Sequence, residues 1–143
     1  KGKTSRVRTV IVDGVKRGDL LPHVDANVVS GASVYTDALR SYANLGADYD
    51  HRVIDHAVAY VDGQVHTNGL ESYWAILKRA LRGTYIAVEP FHLFRYLDEQ
   101  AFRFNERKAS DAARFSMLLD GVVGKRLTYE TLIGALNSGS APA

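Results

Sequence analysis

Three features of this 143-residue chain predict an α/β fold. Short β-branched runs alternate with short helical stretches in the first half. The second half shows helical periodicity only. Turn residues separate the segments, and neither an internal repeat nor a low-complexity stretch interrupts them. Strands followed by helices of this kind form a sheet with flanking helices and an appended helical layer.

Residues 6–12 (RVRTVIV) read as the first strand, closed by Asp13-Gly14. Residues 19–27 read as a short helix, in which Pro22 is tolerable only in the first turn. Residues 33–36 (SVYT) form a second strand, which Asp37 ends. Residues 38–45 read as a helix stopped by Gly46, and residues 51–54 as a third strand. Asp62-Gly63 marks a turn.

A strong helix is predicted over 68–82. Its buried stripe is expected at Leu70, Trp74, Leu77 and Leu81, with Asn68, Glu71, Ala75 and Lys78 alongside and Gly83 as the stop. Glu89-Pro90 opens a helix over 90–107 carrying Phe91, Phe94, Ala101 and Phe104. Ser110-Asp111 caps a helix through Leu119, and Thr128 caps one over 129–136. Residues 137–143 form a small-residue tail, expected to be disordered. The length suits a single domain over 1–143.

Bulk properties exclude several classes. The chain has no Cys, which removes disulfides and thiolate metal sites and fits a reducing compartment. No apolar run approaches the ~18 residues of a membrane span, and no signal peptide is visible. The net charge of +2 conceals a gradient. Residues 1–17 carry six Lys/Arg and one Asp; residues 18–73 carry eight Asp/Glu and two Arg; residues 76–108 carry seven Lys/Arg and four Asp/Glu. These runs suit solvated faces. They also suit an acidic metal site between phosphate-binding surfaces.

The chemistry-bearing candidates are Asp37 and Glu71, with 33 residues between them. Asp37 falls at the carboxyl end of a strand, the edge where open α/β sheets place ligands. It also suits a helix N-cap. Glu71 in a first helical turn suits the helix dipole, or a capping box with Asn68. As a pair, the carboxylates suit Mg²⁺ or Mn²⁺ and metal-assisted phosphoryl chemistry. Asn68 offers an alternative oxygen. Lys78 follows Glu71 by two helical turns on the same face, where a cation can hold a phosphate. His51, Asp55, His56, Asp62 and His66 lack the tight spacing of a zinc site, although His56 and His66 suit proton handling or phosphate contact. Trp74, Phe91, Phe94, Phe102 and Phe104 are expected in the core rather than as base-stacking groups, and no glycine-rich nucleotide loop is present.

With those residues in place, the chain resembles the ISXO2-like transposases of the IS1595 group. The resemblance rests on Val34-Tyr35-Thr36-Asp37, on His56, and on the run from His66-Thr67-Asn68-Gly69-Leu70-Glu71 through Trp74 to Lys78-Arg79. Gly83-Thr84-Tyr85, His92-Leu93, Phe102-Arg103-Phe104-Asn105-Glu106-Arg107 and Lys125-Arg126-Leu127-Thr128-Tyr129 continue it. The combined His-Thr-Asn, Glu, Trp and Lys-Arg signal is specific, whereas each piece alone is weak.

The resemblance implies a ribonuclease H-like mixed sheet and a DDE-type site using Mg²⁺ or Mn²⁺, two ions in the complete protein. Such enzymes cut transposon ends with metal-activated water, and the freed 3′ hydroxyl attacks target DNA. On this reading Asp37 is the second acid and Glu71 the third, with Asn68 its rival. Lys78, Arg79, Arg82 and His66 are the DNA contacts. Synapsis of two ends implies a homo-oligomer, and a cytoplasmic, nucleoid-associated bacterial location follows. The first acid belongs on the first strand of such a sheet, and residues 6–12 match the third. The chain is therefore expected to lack two strands and the first Asp, to be inactive alone, and to expose one sheet edge. A reading from a different class is a DNA-binding or regulatory remnant without catalysis, which the basic arm and helices suit equally. A nuclease for another substrate would cut strands without joining them.

Overall fold

The computed structural model describes residues 5–54 and 68–134, with the side chain of Asn68 excepted. The chain divides into two compact units, Val10–Ala75 and Lys1–Thr9 with Ile76–Ala143.

In the unit Val10–Ala75, helix α1 (Arg17–Asn27) opens with the Asp19 carboxylate accepting from the Lys16 backbone N–H at 3.0 Å. Gly14 permits that approach, because a Cβ there would lie 2.6 Å from the same carboxylate oxygen. Pro22 lies at the sixth position of α1 rather than in its first turn, because the helix begins two residues earlier than expected. Pro22 has no N–H to offer the Gly18 carbonyl one turn back.

Strands β1 (Ser33–Thr36) and β2 (Asp50–Val53) pair in parallel, with Ser33 opposite Asp50 and Thr36 opposite Val53. The Ile54 N–H donates to the Thr36 carbonyl at 2.8 Å and extends the ladder past β2. Ser33 Oγ donates to the Asp50 carboxylate at 2.9 Å. That bond, followed by the Arg52 charge, holds the Asp50 carboxyl below its usual range. The connection between the strands is not the α-helix expected over 38–45. It is two 3₁₀ turns, Arg40–Tyr42 and Leu45–Ala47. Leu45 and Tyr49 are buried here, and Tyr49 donates to Asp25 on α1 at 3.0 Å.

Helix α2 (Asn68–Arg79) contributes residues to both units. Its buried stripe departs from the expected one. Tyr73 and Leu77 are 1% and 2% exposed, whereas Leu70 and Trp74 are 52% and 47% exposed. Leu77 belongs to both possible stripes, so the helix is turned by one residue from the phase that its most apolar residues suggest. Gly83 does not stop it. The chain passes into a single π turn, Ala80–Thr84, closed by the Tyr85 N–H on the Ala80 carbonyl at 3.0 Å.

In the other unit, Pro90–His92 forms a 3₁₀ turn leading into α3 (Leu93–Asn105). Gln100, Ala101 and Phe104 form the buried face of α3, while Phe94 is exposed. Helix α4 (Asp111–Val122) is capped by Ser110, whose Oγ accepts from the Ala113 N–H. Helix α5 (Tyr129–Ile133) is capped by Thr128 and ends on Gly134. Glycine is needed there twice over: φ is +77°, and a Cβ would stand 2.8 Å from the Phe91 ring. The tail over 137–143 lies outside the described residues.

The strand expected over 6–12 does not form. Among the described residues the sheet has two strands, β1 and β2. Residues 5–7 are held by the end of α3 instead. The Asn105 side chain accepts from the Val7 N–H at 2.7 Å and donates to the Val7 carbonyl at 2.9 Å, as a neighbouring strand would. Glu106 pairs with Arg6 at 3.3 Å, and Arg107 donates to the Ser5 carbonyl at 3.3 Å. The Asn105-Glu106-Arg107 stretch of the family-like signature thus clamps the basic arm.

Candidate functional site

Asp37 follows directly on the carboxyl end of β1, where the ladder stops and the side chain is exposed. It does not cap a helix. Its carboxylate accepts from the Leu39 N–H at 3.2 Å, which turns the backbone locally away from the strand. Thr36 Oγ1 lies 2.9 Å from the Asp37 carbonyl oxygen and 2.8 Å from His51 Nε2 on β2. The backbone of Asp37 is therefore anchored to both strands, while its carboxylate stays at the surface.

Glu71 lies in the first turn of α2, with an exposed side chain. Asp37 and Glu71 line one cleft of about 420 Å³ within the unit Val10–Ala75. The strand ends give Tyr35, Thr36 and Ile54 to this cleft, the first 3₁₀ turn gives Tyr42, and α2 gives Leu70 and Trp74. It thus opens at the carboxyl edge of the parallel pair, where strand ends leave backbone groups and side chains free for a ligand.

The two acids are hard oxygen donors. One or two carboxylates, completed by water and substrate phosphate, are what Mg²⁺ typically takes from a protein. The donor set fits Mg²⁺ or Mn²⁺ and offers neither imidazole nor thiolate at the cleft wall. Among the described residues no cluster of three or more His, Cys, Asp or Glu gathers as a metal site. Asp55, His56, Asp62 and His66 lie outside those residues, as does the Asn68 side chain.

Tyr42 senses the charge of Asp37. Burial, first, and the Asp37 carboxylate, second, raise its pKa above the ordinary tyrosine value. Neutralising that carboxylate lowers the cost of a second negative charge beside it. Asp37→Asn should therefore bring the Tyr42 titration down part of the way, the burial contribution remaining. A cation on Asp37 should do the same in the unmodified chain. Ultraviolet detection of tyrosinate against pH, with Tyr42→Phe as the subtraction, reads the shift. A Tyr42 titration indifferent to Asp37→Asn would refute the coupling.

Lys78 and Arg79 occupy the last turn of α2, where cations favour the helix dipole, and Arg82 lies in the π turn. Lys78, Arg79 and Arg82 are all exposed. Arg79 also lines a second cleft, of about 460 Å³, together with Arg103, Glu99 and Tyr85. There Arg103 pairs with Glu99 at 2.8 Å, and the Tyr85 hydroxyl donates to Glu99 at 2.8 Å.

Sequence reasoning brought Asp37 and Glu71 forward but passed over the aromatic lining of their cleft. Trp74 was expected in the core, and Tyr42 was not singled out. One spacing carried a signal: Trp74 follows Glu71 by three, the repeat of one helix face.

No described helix is long and apolar enough to cross a membrane. No curated protein and no solved structure matches the chain. A family model does match, over residues 1–105, and its description is "ISXO2-like transposase domain".

Proposed function

The chain belongs to the ISXO2-like transposase family, and from that premise we propose that Asp37 and Glu71 are two acids of the DDE-type catalytic site of an insertion-sequence transposase. On this reading the transposase that carries this domain binds DNA, cuts transposon ends and joins them to target DNA. The observation that carries the site assignment is the shared cleft: Asp37 from a strand end and Glu71 from a helix line the same 420 Å³ space. A parallel strand pair with an acid at its carboxyl edge, facing a helix-borne acid, accords with a ribonuclease H-like architecture.

Asp37 and Glu71 would hold Mg²⁺ or Mn²⁺, with Asn68 the rival of Glu71 as the third ligand of the set. When bound, such a cation supplies charge neutralisation at the phosphate and activation of the attacking oxygen. The residues of this chain supply position. Thr36 and the ladder fix the Asp37 backbone, and helix α2 fixes Glu71. Lys78, Arg79, Arg82 and His66 would engage phosphates. Two protomers would bring two transposon ends together.

The direct test is Mn²⁺ binding, read by electron paramagnetic resonance of the free ion. Asp37→Asn and Glu71→Gln should each weaken binding by about tenfold or more, since a group that touches the ion matters at least as much as the groups that orient it. Unchanged Mn²⁺ affinity in both variants overturns the assignment. Lys78→Ala makes a separate prediction. It should weaken DNA binding for all sequences alike and reduce the slope of log affinity against log salt by about 1. A salt titration by fluorescence anisotropy of labelled DNA checks it, and an unaltered slope removes Lys78 from the phosphate contacts.

A further inference from the structure

The cleft between the two acids has a second chemical character. Trp74 is 47% exposed and Tyr35 is 41% exposed, and both line it. An isolated surface aromatic needs no explanation. Here two aromatic residues share one concave space with exposed Leu70 and with both carboxylates. Tyr35 lies on β1 two residues before Asp37, and Trp74 follows Glu71 by three on α2, the spacing of one helix face. Any ligand that brings a phosphate to Asp37 and Glu71 therefore brings whatever adjoins that phosphate to Trp74 and Tyr35.

In DNA, the group adjoining a phosphodiester is a sugar bearing a planar base. Every base offers a π face, and aromatic side chains bind it by stacking without regard to sequence. A base inside an intact duplex has both faces occupied by its neighbours. Stacking on protein therefore requires an unpaired or extruded nucleotide. Stacking also needs no positive charge, so it gives affinity in a cleft whose carboxylates repel the DNA backbone.

We propose that Trp74, with Tyr35 as a second aromatic wall, forms a subsite that stacks an unpaired nucleobase next to the phosphodiester positioned at Asp37 and Glu71. The proposal rests on the site assignment above for what lies beside it. The stacking itself depends on the aromatic side chains alone. Its function is to hold a nucleotide out of the duplex, so that the adjoining phosphate enters the cleft between the acids. Trp74 is then a positioning residue that acts through the base.

The chain carries one Trp, so its emission reports this subsite directly. The chain is titrated in EDTA with a short single-stranded oligonucleotide, with the same oligonucleotide made of abasic residues, and with its blunt duplex. Excitation is set where the tyrosines absorb little. The single strand should quench Trp74 by about twofold or more, and the abasic strand and blunt duplex should not. In anisotropy titrations with labelled single strand, Trp74→Ala should weaken binding by roughly fivefold to a hundredfold. Trp74→Phe, which keeps a ring, should stay within about threefold. Equal quenching by the abasic strand overturns the proposal, as does Trp74→Ala binding that matches the unmodified chain.

The same titration on Asp37→Asn and Glu71→Gln separates the two readings. Quenching that persists in both variants supports the stacking subsite whatever their Mn²⁺ affinity, and that affinity alone tests the metal site. If quenching is lost in Asp37→Asn or Glu71→Gln while their circular dichroism is unchanged, the acids hold the base and the stacking proposal fails.

Discussion

Leu77→Ala should lower the stability of the fold by about 2–5 kcal/mol, the range for emptying a fully buried leucine site. Leu70→Ala, on the same helix and chemically identical, should cost less than about 1 kcal/mol, as surface substitutions do. The difference follows from exposure alone: Leu77 is 2% exposed and Leu70 is 52% exposed. Truncating Leu77 leaves its neighbours without contacts that water cannot replace, whereas the site of Leu70 is already half wetted. Urea denaturation of the two variants checks the contrast through their midpoints at unchanged slope. The result bears on function, because the phase of α2 that buries Tyr73 and Leu77 is the phase that places Glu71 and Trp74 in the cleft. Equal costs for the two leucines would mean that α2 is rotated from the position described. The cleft lining would then fail with it.

That phase shows where the sequence was legible and where it was not. Periodicity located α2 to within a few residues but fitted two stripes, because Leu77 is common to both. The apolar scale favoured Leu70 and Trp74 over Gly69, Tyr73 and Ala80. Capping was more legible, because it is local. Ser110 and Thr128 each accept from the N–H three residues on, as their position before a helical run requires.

The segment over 6–12 failed for the opposite reason. Its β-branched run has the propensity of a strand, but a strand exists only with a partner, and the backbone of Val7 is satisfied by the Asn105 amide. The stretch after Asp37 failed because the Asp37 carboxylate binds the Leu39 N–H in a tight turn, and Ser41, Tyr42 and Asn44 are weak helix formers. The candidate acids were legible from residue type and from the end of a strand. Their aromatic surroundings were not, because they depend on how an amphipathic helix is rotated.

The largest functional effect is expected at the acids. In the transposase that carries this domain, Asp37→Asn and Glu71→Gln should each reduce Mg²⁺-dependent strand cleavage by at least about a hundredfold, equivalent to about 2.7 kcal/mol of transition-state stabilisation. Both amides preserve shape while removing the charge and the hard anionic donor. Both side chains are exposed, so folding should change by no more than about 0.5 kcal/mol. DNA affinity should hold or rise slightly, since each variant removes a negative charge from a surface that meets phosphates. Chemistry lost while binding is kept is the pattern that distinguishes a catalytic domain from a DNA-binding remnant, in which no single carboxylate governs cleavage. Cleavage of labelled transposon-end DNA, run beside anisotropy binding at the same salt, gives both quantities. Glu71→Gln and an Asn68→Ala variant measured together then rank the two candidates for the third ligand. If Asn68→Ala abolishes cleavage and Glu71→Gln does not, the third position belongs to Asn68. If neither acid variant impairs cleavage, Asp37 and Glu71 are not the site, and their common cleft serves another purpose.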